Sequence, residues 1–466
     1  MLPRFITALH PRSQPWMSRQ SYAHEMITSA AMPVAVGLVE GSVVGVLARK
    51  TFEVGPVQFA TIMAAPMFAN VTSFFWAHLA RGRKKIPFIT GLQVLMLAMI
   101  GLIAALPTTP MGGKLLVVLI LAARCAVCGI VTIRSTIWRL NYPRHVRARI
   151  TGKLSLISSL VIAVAPLAGY ALLDHDPLAF RWVYPASLII ASVGVVAFSR
   201  VRLRGERQLL KYEADPAAAP RPHGETAPIY EYDARSSPDG FWSVLRRDHL
   251  FRRYMKWQFV GGMCNMMGDV LVVYVIVELT RGMANEYLVS ILMTTAIPVT
   301  IATATLPLWA RYMDRVHIVR LRSRISYIWV LQELLNWIGA VYGLLGVVAL
   351  SRCVRGCVQG AGMLAWNLGH NDFADRRLVA LYMGIHVTLT GVRGALGPFL
   401  AMLLYAGWSG HGPRSIGLPV AAWGGIGGHA FMVTAALGLA ALVGFHRMDR
   451  QMRRPGNLGA PEAGSR

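Results

Sequence analysis

Residues 113–138 read GKLLVVLILAARCAVCGIVTIRSTIW, and this stretch decides the fold class. It holds three basic residues, Lys114, Arg124 and Arg134, and no acidic residue. An α-helix needs about 20 mostly apolar residues to cross the hydrocarbon core of a bilayer. The length and composition of this stretch therefore predict a transmembrane helix.

Similar apolar runs occur along the whole chain, and we count eleven or twelve of them. They lie at about residues 25–48, 55–80, 86–107, 113–138, 152–173, 181–199, 254–279, 287–309, 324–340, 341–366, 382–407 and 417–446. Two of the runs meet near Gly343 and Gly346 with almost no loop between them. The pattern predicts an all-α integral membrane protein with twelve transmembrane helices.

The composition agrees with a membrane protein and disagrees with a water-soluble one. Of the 466 residues, 55% are hydrophobic and 15% are charged, and the mean hydropathy is +0.47. Soluble proteins carry about 25% charged residues. The formal net charge of +25 would suggest a nucleic-acid partner in a soluble protein. Here the basic residues lie between the apolar runs, where cytoplasmic loops collect them, so we expect no nucleic-acid partner.

The distribution of Lys and Arg predicts the orientation in the membrane. With the N-terminus inside, the inner loops hold about 20 Lys and Arg and the outer loops hold about six. Basic residues close to spans stay preferentially on the cytoplasmic side. We therefore expect a multi-pass protein of the inner or plasma cell membrane, with both termini in the cytoplasm.

Between the sixth and seventh runs the sequence becomes polar and rich in Pro and Ala, which is typical of a flexible linker. The stretch FWSVLRRDHLFRRYMKW at 241–257 predicts an amphipathic helix on the membrane surface. The predicted organisation is a cytoplasmic N-terminal segment, a six-helix half, a cytoplasmic linker with the amphipathic helix, a second six-helix half and a cytoplasmic tail. These parts span residues 1–24, 25–199, 200–253, 254–446 and 447–466.

The two halves match each other at particular residues. Arg124 lies 14 residues before Trp138, and Arg352 lies 14 residues before Trp366. Two further pairs with the same spacing are Gly152–Pro166 and Gly384–Pro398. The offset between the halves stays near about 230 residues, which indicates an internal duplication.

The architecture and several partial motifs resemble the major facilitator superfamily. After the second span this family carries Gly-x-Leu-Ala-Asp-Arg-x-Gly-Arg-Lys. Here WAHLARGRKK at 76–85 matches at Arg81, Arg83 and Lys84 but lacks the Asp. The copy in the second half, WARYMDRVHIVR at 309–320, supplies Asp314 and Arg315.

The resemblance extends to the fourth and fifth spans, where Arg124 and Pro166 are similar to family motif positions. It implies two pseudo-symmetric six-helix bundles that work by alternating access, with helices 1, 4, 7 and 10 lining a central cavity. It also implies a cytoplasmic gate at the motif loops and at the inner end of the tenth span. The gate candidates are Arg81, Arg83, Lys84, Asp314, Arg315, His370 and Asp372.

Four ionisable residues lie deep within the predicted spans. At about 1.5 Å per residue, Glu40 and Arg124 lie about 22 Å and about 21 Å from the inner ends of their helices. Asp269 and Arg352 reach similar depths on the seventh and tenth spans. Charges near the bilayer centre are costly and mark functional sites by default. We predict the pairs Glu40–Arg124 and Asp269–Arg352; the alternative is that these pairs only lock helices together.

Further polar residues extend this predicted site. Arg355 and Gln359 lie one and two turns beyond Arg352 on nearly the same helical face. Asn265 lies one turn before Asp269 and would either donate a hydrogen bond to the solute or pack between helices.

Other groups within the spans fit a structural role better. They are Glu333 on the ninth span and His386 and Arg393 on the eleventh. Arg134 lies about three turns inward from Arg124 and is expected to face the inner entrance.

The first functional hypothesis is a secondary active transporter of a small solute. A proton is the candidate coupling ion, carried by Glu40 or Asp269, because the pKa of a carboxyl moves when an Arg partner approaches or leaves. Arg124, Arg352 and Arg355 outnumber these two acids, and Arg134 adds a further base, so an anionic solute is favoured. The expected partners are this solute, protons and membrane lipid, around a monomer.

The alternative hypothesis is a receptor or assembly protein that keeps the fold without transporting. Two buried Arg count against it, since a scaffold has no evident need for them. The loops hold no nucleophile–base cluster and no His-rich motif, and the five cysteines lie within apolar runs. We therefore predict no enzyme activity, no metal site and no cofactor.

Cysteine labelling tests the predicted orientation. Single cysteines replacing Pro220 in the linker and Arg414 in an outer loop are compared in a background without the native thiols. An impermeant thiol reagent applied to intact cells should label position 414 and leave position 220 unlabelled until the cells are opened. Labelling of position 220 from outside would contradict the orientation.

Overall fold

The computed structural model describes residues 10–214, 241–374, 379–407 and 423–453. Within these ranges the secondary structure consists of helices and no strand. Several predictions lie outside the described residues, among them the middle of the linker, the outer loop with Arg414 and the tail from residue 454.

The helices of the N-terminal part follow the predicted spans in order. They are α1 (Arg19–Leu38), α2 (Gly41–Lys50), α3 (Pro56–Val71), α4 (Ser73–Ala80), α5 (Lys85–Leu102), α6 (Pro110–Asn141), α7 (Arg144–His175), α8 (Phe180–Ser199) and α9 (Glu206–Ala214). The first predicted span corresponds to α1 and α2, separated by Val39 and Glu40. The second corresponds to α3 and α4, separated by Thr72.

The C-terminal part contains the remaining predicted spans. Its helices are α10 (Phe241–Arg247), α11 (His249–Leu279), α12 (Glu286–Ile291), α13 (Ile297–Met313), α14 (Ile318–Val341), α15 (Leu345–Leu368), α16 (Val379–Ala406) and α17 (Ala430–Met452). A π-helical turn, Leu292–Ala296, joins α12 to α13. The turn between α14 and α15 lies where the sequence left almost no loop, and Gly343 adopts a φ of 67° there. This left-handed conformation favours glycine.

Nine helical segments of the described chain are long and apolar enough to cross a membrane. The other three predicted spans are also helical. One of them, α3 with α4, is interrupted at Thr72, and polar residues such as Glu333 in α14 and Arg352 in α15 lower the hydropathy of the other two. Large apolar side chains such as Ile189 and Val193 on α8 are exposed, as expected for a lipid-facing surface. The structure is thus an all-α multi-pass membrane protein consistent with twelve spans.

The described chain divides into two compact units. The first comprises the described residues of Met1–Ile229 together with Arg281–Leu292. The second comprises those of Tyr230–Thr280 and Met293–Arg466. Within the first unit α1 packs on α7 and α8, and α6 packs on α3 and α5. Within the second unit α14 packs on α15 and α17, α13 packs on α15, and α11 packs on α16 and α17.

Small residues set the close approach of helices within the first unit. Gly194 of α8 faces Met32 of α1, and a Cβ added at Gly194 would lie 3.1 Å from the Met32 backbone nitrogen. Thr28 of α1 donates a hydrogen bond of 3.0 Å to the Gly194 carbonyl. The α1–α8 contact therefore depends on the absence of a side chain at this position.

The segment Arg281–Leu292 belongs to the first unit, although the predicted second half included it. Its helix α12 is capped by the Asp174 carboxylate, which accepts hydrogen bonds from the backbone N–H groups of Tyr287 at 2.7 Å and Leu288 at 3.0 Å. Lys50 also lies 3.2 Å from Glu286. A carboxylate at a helix N-terminus satisfies donors that the helix leaves free.

The ends of the predicted linker are helical. The first end forms α9, so the flexible character predicted from residue 200 does not apply to Glu206–Ala214. The predicted surface helix at 241–257 is instead two elements, because Asp248 caps α11 by accepting a hydrogen bond of 2.8 Å from the Phe251 N–H. The seventh span therefore begins at His249, five residues before the predicted start at 254.

Candidate solute-binding site

The break between α1 and α2 lies at the deep acid of the first span. The Arg124 Nη2 atom of α6 donates a hydrogen bond of 2.7 Å to the Val39 carbonyl and lies 2.9 Å from Glu40 Oε2. The predicted Glu40–Arg124 pair is therefore present. The Arg124 side chain is 7% exposed, whereas that of Glu40 is 38% exposed. The acid remains accessible while its basic partner is buried.

Side chains of the surrounding helices satisfy the backbone groups that this break releases. Besides the Arg124 bond to Val39, the Tyr184 hydroxyl donates to the Leu38 carbonyl at 3.2 Å. Free carbonyls inside an apolar bundle cost several kcal/mol each, so a broken span needs such partners. Arg124 thus supports the backbone as well as the carboxylate.

The sequence analysis missed a second ion pair in the first unit, at Glu25 of α1. The fully buried Glu25 carboxylate lies 2.9 Å from Arg134 Nη2. It also accepts hydrogen bonds from the Trp138 indole at 2.6 Å and the Tyr142 hydroxyl at 2.7 Å. Arg134 therefore has a partner and is not a free base at the inner entrance. A usable signal was that Glu25 is the sole acid before Glu40.

In the second unit the deep acid of α11 pairs with a different arginine from the predicted one. Arg355 Nη2 lies 2.6 Å from Asp269 Oδ2, and Arg355 Nη1 donates to Asn265 Oδ1. The guanidinium carbon also lies 4.6 Å from the centre of the Trp329 ring. Here too the arginine is buried, at 9% exposure, and the acid is open, at 31%. The predicted Asp269–Arg352 pair is replaced by Asp269–Arg355.

Arg352 supports the π-helical turn instead. Its Nε donates to the Met293 carbonyl at 3.1 Å and its Nη2 donates to the Thr294 carbonyl at 3.4 Å. A π turn displaces carbonyls from regular helical bonds, and such turns are frequent at functional sites. Arg352 Nη1 is buried and has no hydrogen-bond partner in the described chain. One donor of this arginine thus stays available.

A buried polar layer on α14 lies beside Asp269. Glu333 is 1% exposed and accepts hydrogen bonds from Thr434 at 2.7 Å and from the Gln332 amide at 3.1 Å. A Cβ added at Gly268 would lie 2.5 Å from Glu333 Oε1, so the carboxyl sits directly against the α11 backbone. The described ranges contain no ion pair to Glu333. The cost of burying an unpaired charge favours a neutral carboxyl here.

Gln359, the remaining candidate of this site, lies one turn beyond Arg355 on α15 and is half-buried. The structure thus brings Asp269, Asn265 and Arg355 into contact, places Arg352 on the π turn, and adds Glu333. The sequence favoured a structural role for Glu333, and its place beside Gly268 of α11 was not predicted.

The predicted gate of the first unit is the loop at residues 81–85, where the sequence lacks the Asp of the family motif. Glu213 of α9 contacts this loop. The Glu213 carboxylate lies 2.6 Å from Lys85 Nζ and accepts a hydrogen bond of 2.7 Å from the Gly82 N–H. Arg81 donates to the Glu213 carbonyl at 3.2 Å. Arg83 lies over the Phe88 ring, 6.0 Å from its centre. Lys84 directly precedes α5 and is exposed.

At the predicted gate of the second unit, Asp314 and Arg315 form an exposed turn after α13. Asp372 caps α14 by accepting a hydrogen bond of 2.7 Å from the Ile318 N–H. Burial lowers the pKa of His317 at the start of α14, and the Asp372 charge partly opposes this effect. Burial also lowers the pKa of His370. The gate role of these residues stays a prediction.

The buried Glu25–Arg134 pair makes a prediction about stability. Glu25→Gln should lower the free energy of unfolding by about 3 kcal/mol, because removal of one partner leaves the other charge buried and unpaired. The double variant Glu25→Gln/Arg134→Gln should recover part of this loss. Thermal unfolding of the purified protein measures both effects, with the exposed Glu53→Gln as a control. Additive losses in the double variant would contradict the coupling.

The sequence profile of the Major Facilitator Superfamily matches residues 24–398. A search of curated protein sequences gave no significant match.

Solved transporter structures have a similar fold. The nucleoside transporter NupG has a TM-score of 0.64 at 12% identity, covering 92% of this chain and 99% of its own. The D-xylose–proton symporter has a TM-score of 0.62 at 11% identity, covering 93% and 97%. A POT family transporter in complex with 5-aminolevulinic acid has a TM-score of 0.59 at 13% identity, covering 93% and 97%. The profile match covers most of the chain, and the chain belongs to the major facilitator superfamily, as a secondary transporter rather than an enzyme.

Proposed function

We propose that this transporter couples a proton to the movement of a small anionic solute. The observation that carries the proposal is the Asp269–Arg355 ion pair, in which the arginine is buried and the acid is 31% exposed. An accessible carboxylate on a buried guanidinium can be replaced there by another anion. The resident carboxylate then needs a proton, because an unpaired charge is costly in this environment.

The proposed step is an exchange of partners at Arg355. A solute carboxylate or phosphate takes the place of Asp269 and accepts two hydrogen bonds from the planar guanidinium. Asp269 binds a proton as it leaves Arg355 and becomes neutral. Asn265, which already accepts a hydrogen bond from Arg355, would then turn its amide toward the solute. Solute and proton therefore enter this site together.

The charges of the described second unit favour an anion at this place. Arg352 and Arg355 supply two positive charges, Asp269 supplies one negative charge, and Glu333 is favoured neutral by its burial. The free Nη1 of Arg352 is a further donor. In the first unit each buried arginine has an acidic partner, in the pairs Glu40–Arg124 and Glu25–Arg134. The surplus of positive charge therefore belongs to the second unit.

Similar structures support the wider class without fixing the solute. Among them are transporters named for nucleosides and for D-xylose with a proton, and one bound to 5-aminolevulinic acid, which carries a carboxylate. We retain alternating access, the monomeric state and cytoplasmic termini as parts of this proposal. Binding without flux in liposomes would favour the alternative of a receptor or assembly protein.

Proton coupling is tested in proteoliposomes with a solute found by a thermal-shift screen. Asp269→Asn should abolish accumulation driven by a pH gradient, because an amide cannot carry a proton, yet keep counterflow. Glu40→Gln tests the equivalent pair of the first unit, and the exposed Glu53→Gln, outside the gate and the solute site, serves as a control. Unchanged accumulation in both the Asp269 and Glu40 variants would exclude these two acids as coupling sites.

The solute class is tested by lysine substitution. Arg355→Lys keeps the positive charge and loses the planar fork, so it should weaken anion binding about tenfold or more, the effect of losing one charge-assisted hydrogen bond. The exposed Arg311→Lys is the matched control. Stabilisation of the wild-type protein by cations or neutral compounds and by no anion would contradict the proposed class.

A further inference from the structure

A second group of basic residues lies in the second unit, away from the Asp269 site. It comprises Arg322 of α14, His370 after α15, and His386 and Arg393 of α16, and we call it the basic cluster. His386 is 1% exposed, Arg393 4% and His370 6%. Three of its four members are thus more than nine-tenths buried.

The members of the basic cluster lie close to one another. His386 lies within electrostatic range of Arg322, Arg393 and His370, and Arg393 lies within that of Arg322. Leu321 and Ile385, the chain neighbours of Arg322 and His386, belong to the same hydrophobic cluster.

Arg393 is held in place from α11. Its Nη1 donates a hydrogen bond of 2.6 Å to the Gln258 carbonyl. A Cβ added at Gly262 would lie 1.9 Å from Nη1, so the glycine leaves the space that the guanidinium occupies. Gly262 lies about two turns from Asp269 along α11, which separates the two sites.

Polar atoms of the basic cluster lack hydrogen-bond partners within the described ranges. These buried atoms are Arg322 Nε and Nη2, Arg393 Nε, His370 Nδ1, His386 Nε2 and the hydroxyl oxygen of neighbouring Tyr254. Buried polar groups are normally paired, because each unpaired group costs about 1–3 kcal/mol and a charged one costs more. Several unpaired groups in one place indicate a missing ligand.

Three acids at this end of the described second unit already have partners. Asp248 caps α11 and accepts a hydrogen bond of 2.7 Å from Tyr382. Asp372 caps α14. Asp449 lies 3.4 Å from Arg320 and 2.5 Å from Arg453. None of these contacts supplies an oxygen to the basic cluster.

We propose that the basic cluster is an anion-binding site for a phosphate group, independent of the solute site. The planar guanidinium groups of Arg322 and Arg393 each present free N–H donors, and phosphate oxygens accept such paired donors well. The imidazoles of His370 and His386 and the Tyr254 hydroxyl each add a buried polar atom without a hydrogen-bond partner in the described chain. The phosphate is either free in solution or part of a lipid headgroup.

Thermal unfolding of the purified full chain tests this site. In neutral detergent, inorganic phosphate should raise the unfolding midpoint by several degrees over chloride at equal ionic strength, in a saturable way. Arg393→Gln should abolish the rise. Arg253 on α11 is exposed and lies outside the basic cluster. The control Arg253→Gln therefore removes the same charge and should keep the rise of the unfolding midpoint with phosphate. In anion-free buffer Arg393→Gln should be at least as stable as the wild type, because a buried unpaired charge is gone.

A second arm identifies the source of the phosphate. If mixed micelles with phosphatidic acid stabilise the protein where inorganic phosphate does not, and diacylglycerol micelles have no effect, the ligand is a lipid headgroup. Arg322→Gln repeats the comparison should Arg393→Gln fail to fold. The proposal is overturned if neither phosphate source shifts the wild-type midpoint, or if both arginine variants keep the full shift. These outcomes do not depend on transport, so they are separate from the proposed function.

Discussion

Buried guanidinium groups on α6 and α15 bind backbone carbonyls at two places where the spans depart from regular helix. An apolar bundle in a bilayer has no water to satisfy a free carbonyl or carboxylate, so each irregular turn needs a donor from the protein. Arg124 supplies it at Val39 and Glu40, and Arg352 supplies it at the π turn. The same groups that stabilise the irregular backbone therefore place positive charge inside the apolar bundle.

Charge balance then limits what the second unit can do. Arg355 is neutralised by an acid that remains partly open, whereas Glu333 is buried among uncharged donors. Any anion that reaches Arg355 competes with Asp269. The displaced carboxylate then either binds a proton or stays charged without a partner, which costs several kcal/mol. The proposed coupling of a solute to a proton therefore rests on one ion pair.

Sequence alone predicted the helices, the family and the Glu40–Arg124 pair. Hydropathy indicates the helices, motif residues indicate the family, and the number of residues from a helix end gives the depth of a charge. Sequence alone failed at Asp269, because Arg352 and Arg355 lie about one turn apart on the same helix and spacing does not show which one contacts the acid. In the structure Arg352 binds the π turn and Arg355 binds Asp269. Sequence alone also missed Glu25, whose partners Arg134, Trp138 and Tyr142 lie more than 100 residues away. The position of Glu333 beside Gly268 depends on how α14 packs against α11, which spacing along the chain does not show.

Proton uptake on solute binding is the most direct test of the account. Calorimetric titration of the purified protein with its solute, in buffers of different ionisation enthalpy, gives the number of protons bound per solute. The account predicts uptake of about one proton by the wild type, since one carboxylate is displaced from one guanidinium, and none by Asp269→Asn. Solute binding without proton uptake in the wild type, or uptake that persists in Asp269→Asn, would contradict it.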